Sequence, residues 1–173
     1  MNSYAQKPNT RRGATMWLCM IMLPTLVIIC LMCINVAYMN LTRTELRIAT
    51  DSASRAAGRM LSISGSVEQS MIFGRDAASR NMIGGEPLLL ADADFEYGRS
   101  ERTNVGQRYV FSPTNAGEFP NALRLNGRRT SDSPGGAVGL FAPPIMSINN
   151  FEPVARAIST QAELDVVLVV DRS

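Results

Sequence analysis

A run of 30 residues without a charged side chain, from Gly13 to Thr42, is the feature that most constrains the fold of this chain. Within it, Met16–Met39 is almost continuously apolar. These 24 residues exceed the roughly 20 helical residues that cross a hydrocarbon core. Leucine, isoleucine and valine, which recur throughout, each favour insertion by about 0.3 to 0.6 kcal/mol. The sequence therefore predicts a transmembrane helix over 14–40 and excludes a simple soluble globule.

Two residues weaken this span without cancelling it. Pro24 is tolerated because neighbouring helices or water can satisfy the carbonyl that it frees, and Asn35 is a single polar residue. A cleaved signal peptide is the alternative interpretation, but its apolar core is only about 7 to 15 residues long and ends at small residues. Here the run is longer, and Tyr38, Asn40 and Arg43 occupy the place of a small-residue cleavage site. We therefore expect an uncleaved span.

Positive charges flank the span on both sides. Lys7, Arg11 and Arg12 precede it without an acid among them, whereas the arginines that begin at Arg43 are interleaved with acids. Counting cations alone gives a near tie under the positive-inside rule. The compact leading cluster and the long tail favour a cytoplasmic N-terminus over 1–13. We predict a single-pass protein of the cell inner (cytoplasmic) membrane with the bulk of the chain extracytoplasmic.

The reactive side chains exclude several classes of function. The chain has no histidine, which rules out Ser-His-Asp triads, Cys-His pairs and histidine-ligated metals. Lys7 is the only lysine, and no nucleophile and base can be paired from their spacing. Cys19, Cys30 and Cys33 all lie in the span, so the rest of the chain has no disulfide. A net charge of +2 does not suggest nucleic acid. We predict no enzyme, no catalytic residue, no cofactor and no small-molecule substrate.

Helical periodicity continues beyond the span. Apolar and small residues recur there at helical spacing and form a narrow stripe: Leu46, Ala49, Ala53, Ala56 or Ala57, and Met60. This pattern predicts that the membrane helix continues to about residue 62, where Gly65 fits a C-terminal stop. The stripe either seats a partner helix or packs against the chain's own second helix, and the sequence leaves both alternatives open.

A second helix is predicted from Ser66 to about Ile83. Ser66 and Gln69 have the spacing of a capping box, in which the first side chain accepts from the backbone three residues later. The pair Gly84-Gly85 is expected to end this helix, and strand-like segments follow from Pro87 onward.

The residues 92–97 alternate between acids and apolar side chains, which predicts a strand with one wet face. The acids Asp92, Asp94 and Glu96 invite a calcium site, because hard cations bind several carboxylate oxygens. Alternate residues of a flat strand splay their carboxylates, so we favour a solvated face. Further short strands are predicted at 107–112, 122–125, 137–141 and 154–159. The fold class is α+β, with a small mixed or antiparallel sheet resting on the second helix.

The final segment, Leu164–Ser173, has another pattern. Its five residues Val166–Val170 are continuously apolar, which is typical of a strand covered on both faces in a parallel sheet. The neighbours that such a strand needs would have to come from further sequence. We interpret it as an orphan strand at the start of an incomplete domain.

The N-terminal third carries a composite motif: Arg-Arg-Gly-Ala, an apolar span with a Leu-Pro step, then Arg-x-Glu-Leu-x-x-Ala-x-Asp-x-Ala. The residues that form it are Arg11, Arg12, Gly13, Ala14, Leu23, Pro24, Arg43, Glu45, Leu46, Ala49, Asp51 and Ala53. This segment resembles the N-terminal segment of TadG-like Flp pilus assembly proteins. Many of those proteins have an aspartate late in the span where this chain has Asn35, so a function of that carboxylate does not carry over.

The resemblance also covers the C-terminal segment. In many TadG-like proteins a β-rich region precedes a von Willebrand factor A domain, whose first strand ends in the metal-site motif D-x-S-x-S. The segment LDVVLVVDRS is similar to that strand, with Asp171 and Ser173 at the first two motif positions. The resemblance implies a Mg²⁺ site completed by later residues, and Mg²⁺ keeps several waters. With the motif incomplete, we predict no bound metal and a chain truncated at the start of that domain.

The resemblance implies a membrane-anchored, non-enzymatic component of a Tad/Flp-type pilus assembly or surface-secretion system. Its partners would be the membrane and other pilus-assembly or envelope proteins. A pilin-like structural subunit is one alternative, although prepilins place Glu five residues after the cleaved Gly and Leu18 stands at that distance from Gly13. A single-pass sensor input domain is another, although about 13 cytoplasmic residues are too few for an effector.

The predicted organisation follows from these patterns. The segments are a cytoplasmic N-terminus (1–13), a transmembrane helix (14–40), juxtamembrane helices (41–84), a β-rich extracytoplasmic region (85–162) and the first strand of a truncated von Willebrand factor A-like domain (163–173).

Overall fold

One unbroken helix forms the axis of the molecule. The computed structural model describes residues 12–161, apart from 103, 105, 115–117 and 144–147. Helix α1 runs through Arg12–Ser64, and its 53 residues span about 80 Å at 1.5 Å per residue. Pro24 lies inside this helix. The prediction that the apolar helix continues without a break to about residue 62 is therefore confirmed.

A glycine and a serine separate α1 from the second helix, α2 (Val67–Ser79). Gly65 has a φ of 67°, and its N–H donates to the Leu61 carbonyl at 2.9 Å, which is the left-handed stop that glycine favours. The Ser66 hydroxyl accepts from the Gln69 N–H at 3.3 Å and caps α2. Both terminus predictions are confirmed.

The second helix ends at Ser79, four residues before the predicted end at Ile83. Asn81 accounts for the early stop. Its side-chain amide donates to the Ala77 carbonyl at 2.7 Å, and its backbone N–H donates to the Ala78 carbonyl at 3.0 Å. These bonds satisfy carbonyls that a helix end would otherwise leave without a partner.

The glycine pair after α2 forms a hairpin and does not terminate a helix. Strand β1 (Met82–Ile83) pairs antiparallel with β2 (Glu86–Pro87) across Gly84 and Gly85. These glycines have φ values of 60° and 91°. Positive φ at both central residues is what a two-residue hairpin turn of this type requires.

The remaining strands are antiparallel, which confirms the α+β class. The main sheet has the order β4-β3-β5-β8, and β6 pairs with β7 in a separate ribbon. The bounds are β3 Phe95–Glu101, β4 Val110–Pro113, β5 Ala122–Arg128, β6 Val138–Gly139, β7 Asn150–Phe151 and β8 Val154–Thr160. Each of the five predicted strands overlaps an observed one, whereas β1, β2 and β7 were not predicted.

The main sheet packs on α1 through β5 and β8, and its strand β3 also contacts α2 through Phe95 and Tyr97. The prediction that the sheet rests on α2 therefore holds for β3, whereas the packing of β5 and β8 on α1 was not predicted. Gly127 of β5 lies against the Thr50 side chain, and Gly58 of α1 lies against Ser159 of β8. A side chain at either glycine would overlap the facing hydroxyl. Glycine is therefore what allows helix and sheet to approach so closely.

The small-residue stripe is buried inside the molecule. Leu46, Ala49, Ala53 and Ala57 have no exposed surface and belong to one core with residues of α2, β3, β5 and β8. The Ser70 hydroxyl of α2 donates to the carbonyl of Ala57 at 2.8 Å. The stripe thus serves packing within the chain, and the partner-helix alternative is wrong for these four positions.

Candidate functional site

The first half of α1 is exposed along its whole length. Every residue from Met16 to Cys30 is exposed, and the Met16 side chain is 78% exposed. The most apolar 18-residue window of the helix has a mean hydropathy of 2.6, and none of that window is buried. The helix is therefore long and apolar enough to cross a membrane.

The exposed half ends where Asn35 meets the β6–β7 region. The Asn35 side chain has no exposed surface. Its amide Nδ2 donates to the Ala142 carbonyl at 3.1 Å, and the Ala142 N–H donates to Asn35 Oδ1 at 3.2 Å. An ionised aspartate could accept the second bond but could not donate the first. Asn35 thus hydrogen-bonds the apolar helix to the rest of the fold.

A second, smaller core lies beside Asn35. Tyr38 packs edge-on against Phe141, with ring centroids 5.3 Å apart and an interplanar angle of 87°. This arrangement is favourable because the positive edge of one aromatic ring faces the negative face of the other. Val138, Leu140 and Phe151 are buried, and Tyr38 and Met39 pack against them. We call this group the junction cluster, and its members are Asn35, Tyr38, Met39, Val138, Leu140, Phe141, Ala142 and Phe151.

The β1–β2 hairpin is bound to α1 beside the junction cluster. The Gly84 N–H donates to Glu45 Oε2 at 2.8 Å. Glu45 is a position of the composite motif, so one motif residue has a structural role here. Arg129, only 4% exposed, donates to the carbonyls of Gly136 at 2.9 Å and Ile83 at 3.1 Å. No local pattern marks Arg129, because it lies in a polar stretch that reads as a turn.

The acidic row of residues 92–96 does not share one wet face. Residues Asp92–Asp94 form a short 3₁₀ turn before β3, so they do not alternate like strand residues. The Asp94 side chain is 2% exposed and accepts from Arg128 at 2.8 Å, so its predicted solvation is wrong. Each carboxylate pairs with a different arginine: Asp92 with Arg75, Asp94 with Arg128 and Glu96 with Arg124. The three acids therefore do not converge on one point.

The Tyr97 phenol and the Arg128 guanidinium of this region have raised pKa values. Burial raises the pKa of the Tyr97 phenol, whose O–H lies 3.2 Å from the Val67 carbonyl and 3.1 Å from Ser70 Oγ. The hydrogen bond to Asp94 raises the pKa of Arg128. Both groups hold elements together: the first joins β3 to α2, and the second joins β5 to the turn before β3.

The predicted C-terminal metal motif falls outside the described residues. Asp171, Ser173 and the apolar strand Val166–Val170 all lie beyond residue 161, so the motif and the truncated domain stay predictions. Between residues 12 and 161, leaving aside the gaps named above, no group of three or more cysteine, aspartate or glutamate side chains could hold a metal ion.

Comparison with known proteins bears on the same helix. Residues 13–60 match the model of the TadE/G-like Flp pilus-assembly family. The matched range covers the exposed half of α1, Asn35 and the buried stripe. No curated protein and no solved structure matches the chain. The family model therefore confirms the resemblance that the N-terminal third of the chain shows to TadE/G-like Flp pilus-assembly proteins.

Proposed function

We propose that the chain is a membrane-anchored, non-enzymatic component of a Tad/Flp-type pilus assembly or surface-secretion system. In this proposal residues 1–13 are cytoplasmic, and residues 43–173 lie outside the inner membrane. The observation that carries the proposal is the division of α1, which is exposed and apolar as far as Cys30 and built into the fold beyond Asn35. The family match to the same helix supports it.

The helix gives the protein a rigid way to hold a domain at a membrane. We call residues 41–161 the sheet domain. Helix α1 continues from the apolar segment to Ser64 without a break, so no loop separates anchor from domain. From Asn35 to Ser64 the helix rises about 44 Å, and the sheet lies along this part of it. Such a component acts as a scaffold, which presents a surface to other assembly proteins at a fixed distance from the bilayer.

The roles of the buried polar groups support a structural protein. Arg129 is occupied by two backbone carbonyls, and Asp94 is occupied by Arg128 and by the Ala91 N–H at 2.8 Å. Buried charges that are paired in this way are held in place and are not available to a substrate. The assignment of 163–173 to the first strand of a von Willebrand factor A-like domain belongs to the same proposal and is supported by the resemblance alone.

A pilin-like subunit is the second candidate, and the shape of α1 favours it. A long helix that exposes an apolar half and packs its other half on an antiparallel sheet could bury the apolar half among copies of itself in a filament. Prepilins have a glutamate five residues after the cleaved glycine, and this chain has Leu18 at that distance from Gly13, which argues against processing after Gly13. Mass spectrometry of the mature protein separates the two: the scaffold retains residues 1–13, and the processed subunit lacks them.

Cysteine labelling tests the membrane topology. The native Cys19, Cys30 and Cys33 are replaced by alanine, and a single cysteine is placed at Ser131, which is exposed on the sheet domain. A matched variant carries its cysteine at Ser3. A membrane-impermeant maleimide added to intact spheroplasts should label S131C at once and S3C only after lysis. Labelling in the opposite order would overturn the proposed orientation, and release of S131C as a soluble protein would overturn the anchor.

A further inference from the structure

A loop of the sheet domain exposes apolar side chains at the point where the apolar helix enters the fold. Phe141 is 72% exposed and Ile148 is 49% exposed. The sequence carries no charged residue from Ser133 to Phe151, the longest uncharged stretch after the apolar span. We call Leu140–Pro143 together with Ile148 the junction loop. Its surface is apolar where a loop in water would be polar.

The Asn35 hydrogen bonds fix the level of this loop along α1. Asn35 is 19 residues beyond Met16, a rise of about 29 Å, and a hydrocarbon core is about 30 Å thick. A helix that begins its crossing at Met16 therefore leaves the hydrocarbon close to Asn35. Because Ala142 is bonded to Asn35 at both its N–H and its carbonyl, the junction loop lies at the same level.

Aromatic rings occupy this level on both the helix and the loop. Tyr38 is less than one turn beyond Asn35, and its ring holds Phe141 edge-on. Tyrosine with an exposed aromatic neighbour is typical of the interface between hydrocarbon and headgroups. The first charge of the helix beyond the span, Arg43, lies about 12 Å further along the axis, which is beyond the headgroup region of about 5 to 8 Å on that side of the bilayer.

We propose that the junction loop is a second membrane contact, which inserts Phe141 into the interfacial region of the lipid bilayer beside α1. The inference rests on the proposed membrane anchor. Lipid is the occupant that the geometry favours, because Ile34 and Val36 are 49% and 43% exposed on the helix at this level and a bilayer that covers them reaches the loop as well. The contact would fix the tilt and rotation of the sheet domain, which a single helix leaves free.

Tryptophan fluorescence in vesicles tests the contact. The full chain carrying W17F and Phe141→Trp is reconstituted into phosphatidylcholine–phosphatidylglycerol vesicles, with and without acyl chains brominated near the headgroup end. Bromine quenches tryptophan only at contact distance. We expect blue-shifted emission that the brominated lipid quenches. Ile148→Trp in the same background is a second reporter and should behave alike.

Phe119→Trp is the matched control. Phe119 is 86% exposed and precedes β5, whose first residue Ala122 pairs with Thr160 beside the Gly58–Ser159 contact. Gly58 is 23 residues beyond Asn35, so this end of the sheet lies about 35 Å further from the bilayer. Its emission should stay red-shifted and unquenched.

The native Trp17 separates failure of the loop contact from failure of the anchor. In the unmodified chain Trp17 lies in the apolar half of α1 and should be quenched. Quenched Trp17 with unquenched reporters at 141 and 148 would overturn the loop contact and leave the anchor intact. Reporters that shift to the blue only as the protein concentration rises, without quenching, would overturn it in favour of a second copy. Unquenched Trp17 would overturn the anchor and the inference together.

Discussion

Asn35 and Ala142 form a reciprocal pair of hydrogen bonds across 107 residues of sequence, at 3.1 and 3.2 Å. The side-chain amide of Asn35 acts towards the peptide groups of Ala142 as another backbone would, donating one bond and accepting the other. Because Asn35 has no exposed surface, neither bond can readily be replaced by water. This pair fastens the apolar helix to the sheet domain, and asparagine fits it better than an ionised aspartate.

Asn35→Asp should destabilise the full chain at neutral pH. The ionised carboxylate loses the donor to the Ala142 carbonyl and places a charge in a buried site, which should cost about 2 to 3 kcal/mol of unfolding free energy. A neutral carboxylic acid has both a donor and an acceptor, so acidification should restore much of the loss. Denaturation of the chain in detergent micelles at neutral and acidic pH measures both effects.

Asn40→Asp is the control for that change. Asn40 is exposed on the same helix, so the same substitution should alter the unfolding free energy by no more than about 0.5 kcal/mol. Equal losses for the two variants would mean that the charge acts through the micelle and not through Ala142.

Gly58→Ala should destabilise the fold although alanine is the better helix former. The exchange favours α1 by up to about 1 kcal/mol through propensity. The added methyl group would overlap the Ser159 side chain of β8, and overpacking of this kind costs about 1 to 3 kcal/mol. We therefore expect a net loss of unfolding free energy, measured by denaturation of the full chain.

A double-mutant cycle isolates the overlap. Adding Ser159→Gly to Gly58→Ala removes the clash and should recover stability, giving a favourable coupling between the two sites. Gly13→Ala, on the same helix with no atom near its added carbon, should not destabilise. Additive effects of the two core changes would contradict the close approach of α1 and β8.

Asp94→Asn should cost about 2 to 4 kcal/mol, because it leaves the Arg128 guanidinium without its buried counter-charge. Asp92→Asn is the matched control two residues away. The Asp92 side chain is 81% exposed, and exposed ion pairs contribute about 0 to 1 kcal/mol. Chemical denaturation of both variants compares them. Equal, small losses would show that the row is solvated, as its alternating pattern suggested.

Patterns that depend on near neighbours were predictable from the sequence. The stop at Gly65 and the cap at Ser66 each involve residues three or four positions apart, and the stripe from Leu46 repeats within single turns. These interactions form inside one helix or at its end, so all the residues that take part lie close together in the sequence and can be recognised there. The same holds for the long apolar run of α1.

What the sequence did not reveal depends on distant partners or on very short elements. Asp94 looked solvated because its partner, Arg128, lies 34 residues away. Asn35 looked like a flaw in the span because its partner follows it by 107 residues. Strands β1, β2 and β7 have two residues each, too few for an alternation to be recognised.

Tyr97→Phe should lower the unfolding free energy at neutral pH and make that free energy less sensitive to alkaline pH. Loss of the bonds from the phenol to Val67 and Ser70 should cost about 1 kcal/mol. Burial holds the pKa of Tyr97 above its ordinary value of 10.0, so the folded chain keeps a proton that the unfolded chain has released. The phenol's contribution is therefore complete below about pH 10 and is lost as the pH rises through the folded pKa.

The unfolding free energy, measured at a series of pH values across this range, should decrease less steeply in the variant than in the native chain. Tyr109→Phe, at a ring that is 54% exposed, is the control at neutral pH and should change the unfolding free energy by no more than about 0.5 kcal/mol. A native chain whose stability falls no more steeply in alkali than that of Tyr97→Phe would contradict the raised pKa of Tyr97.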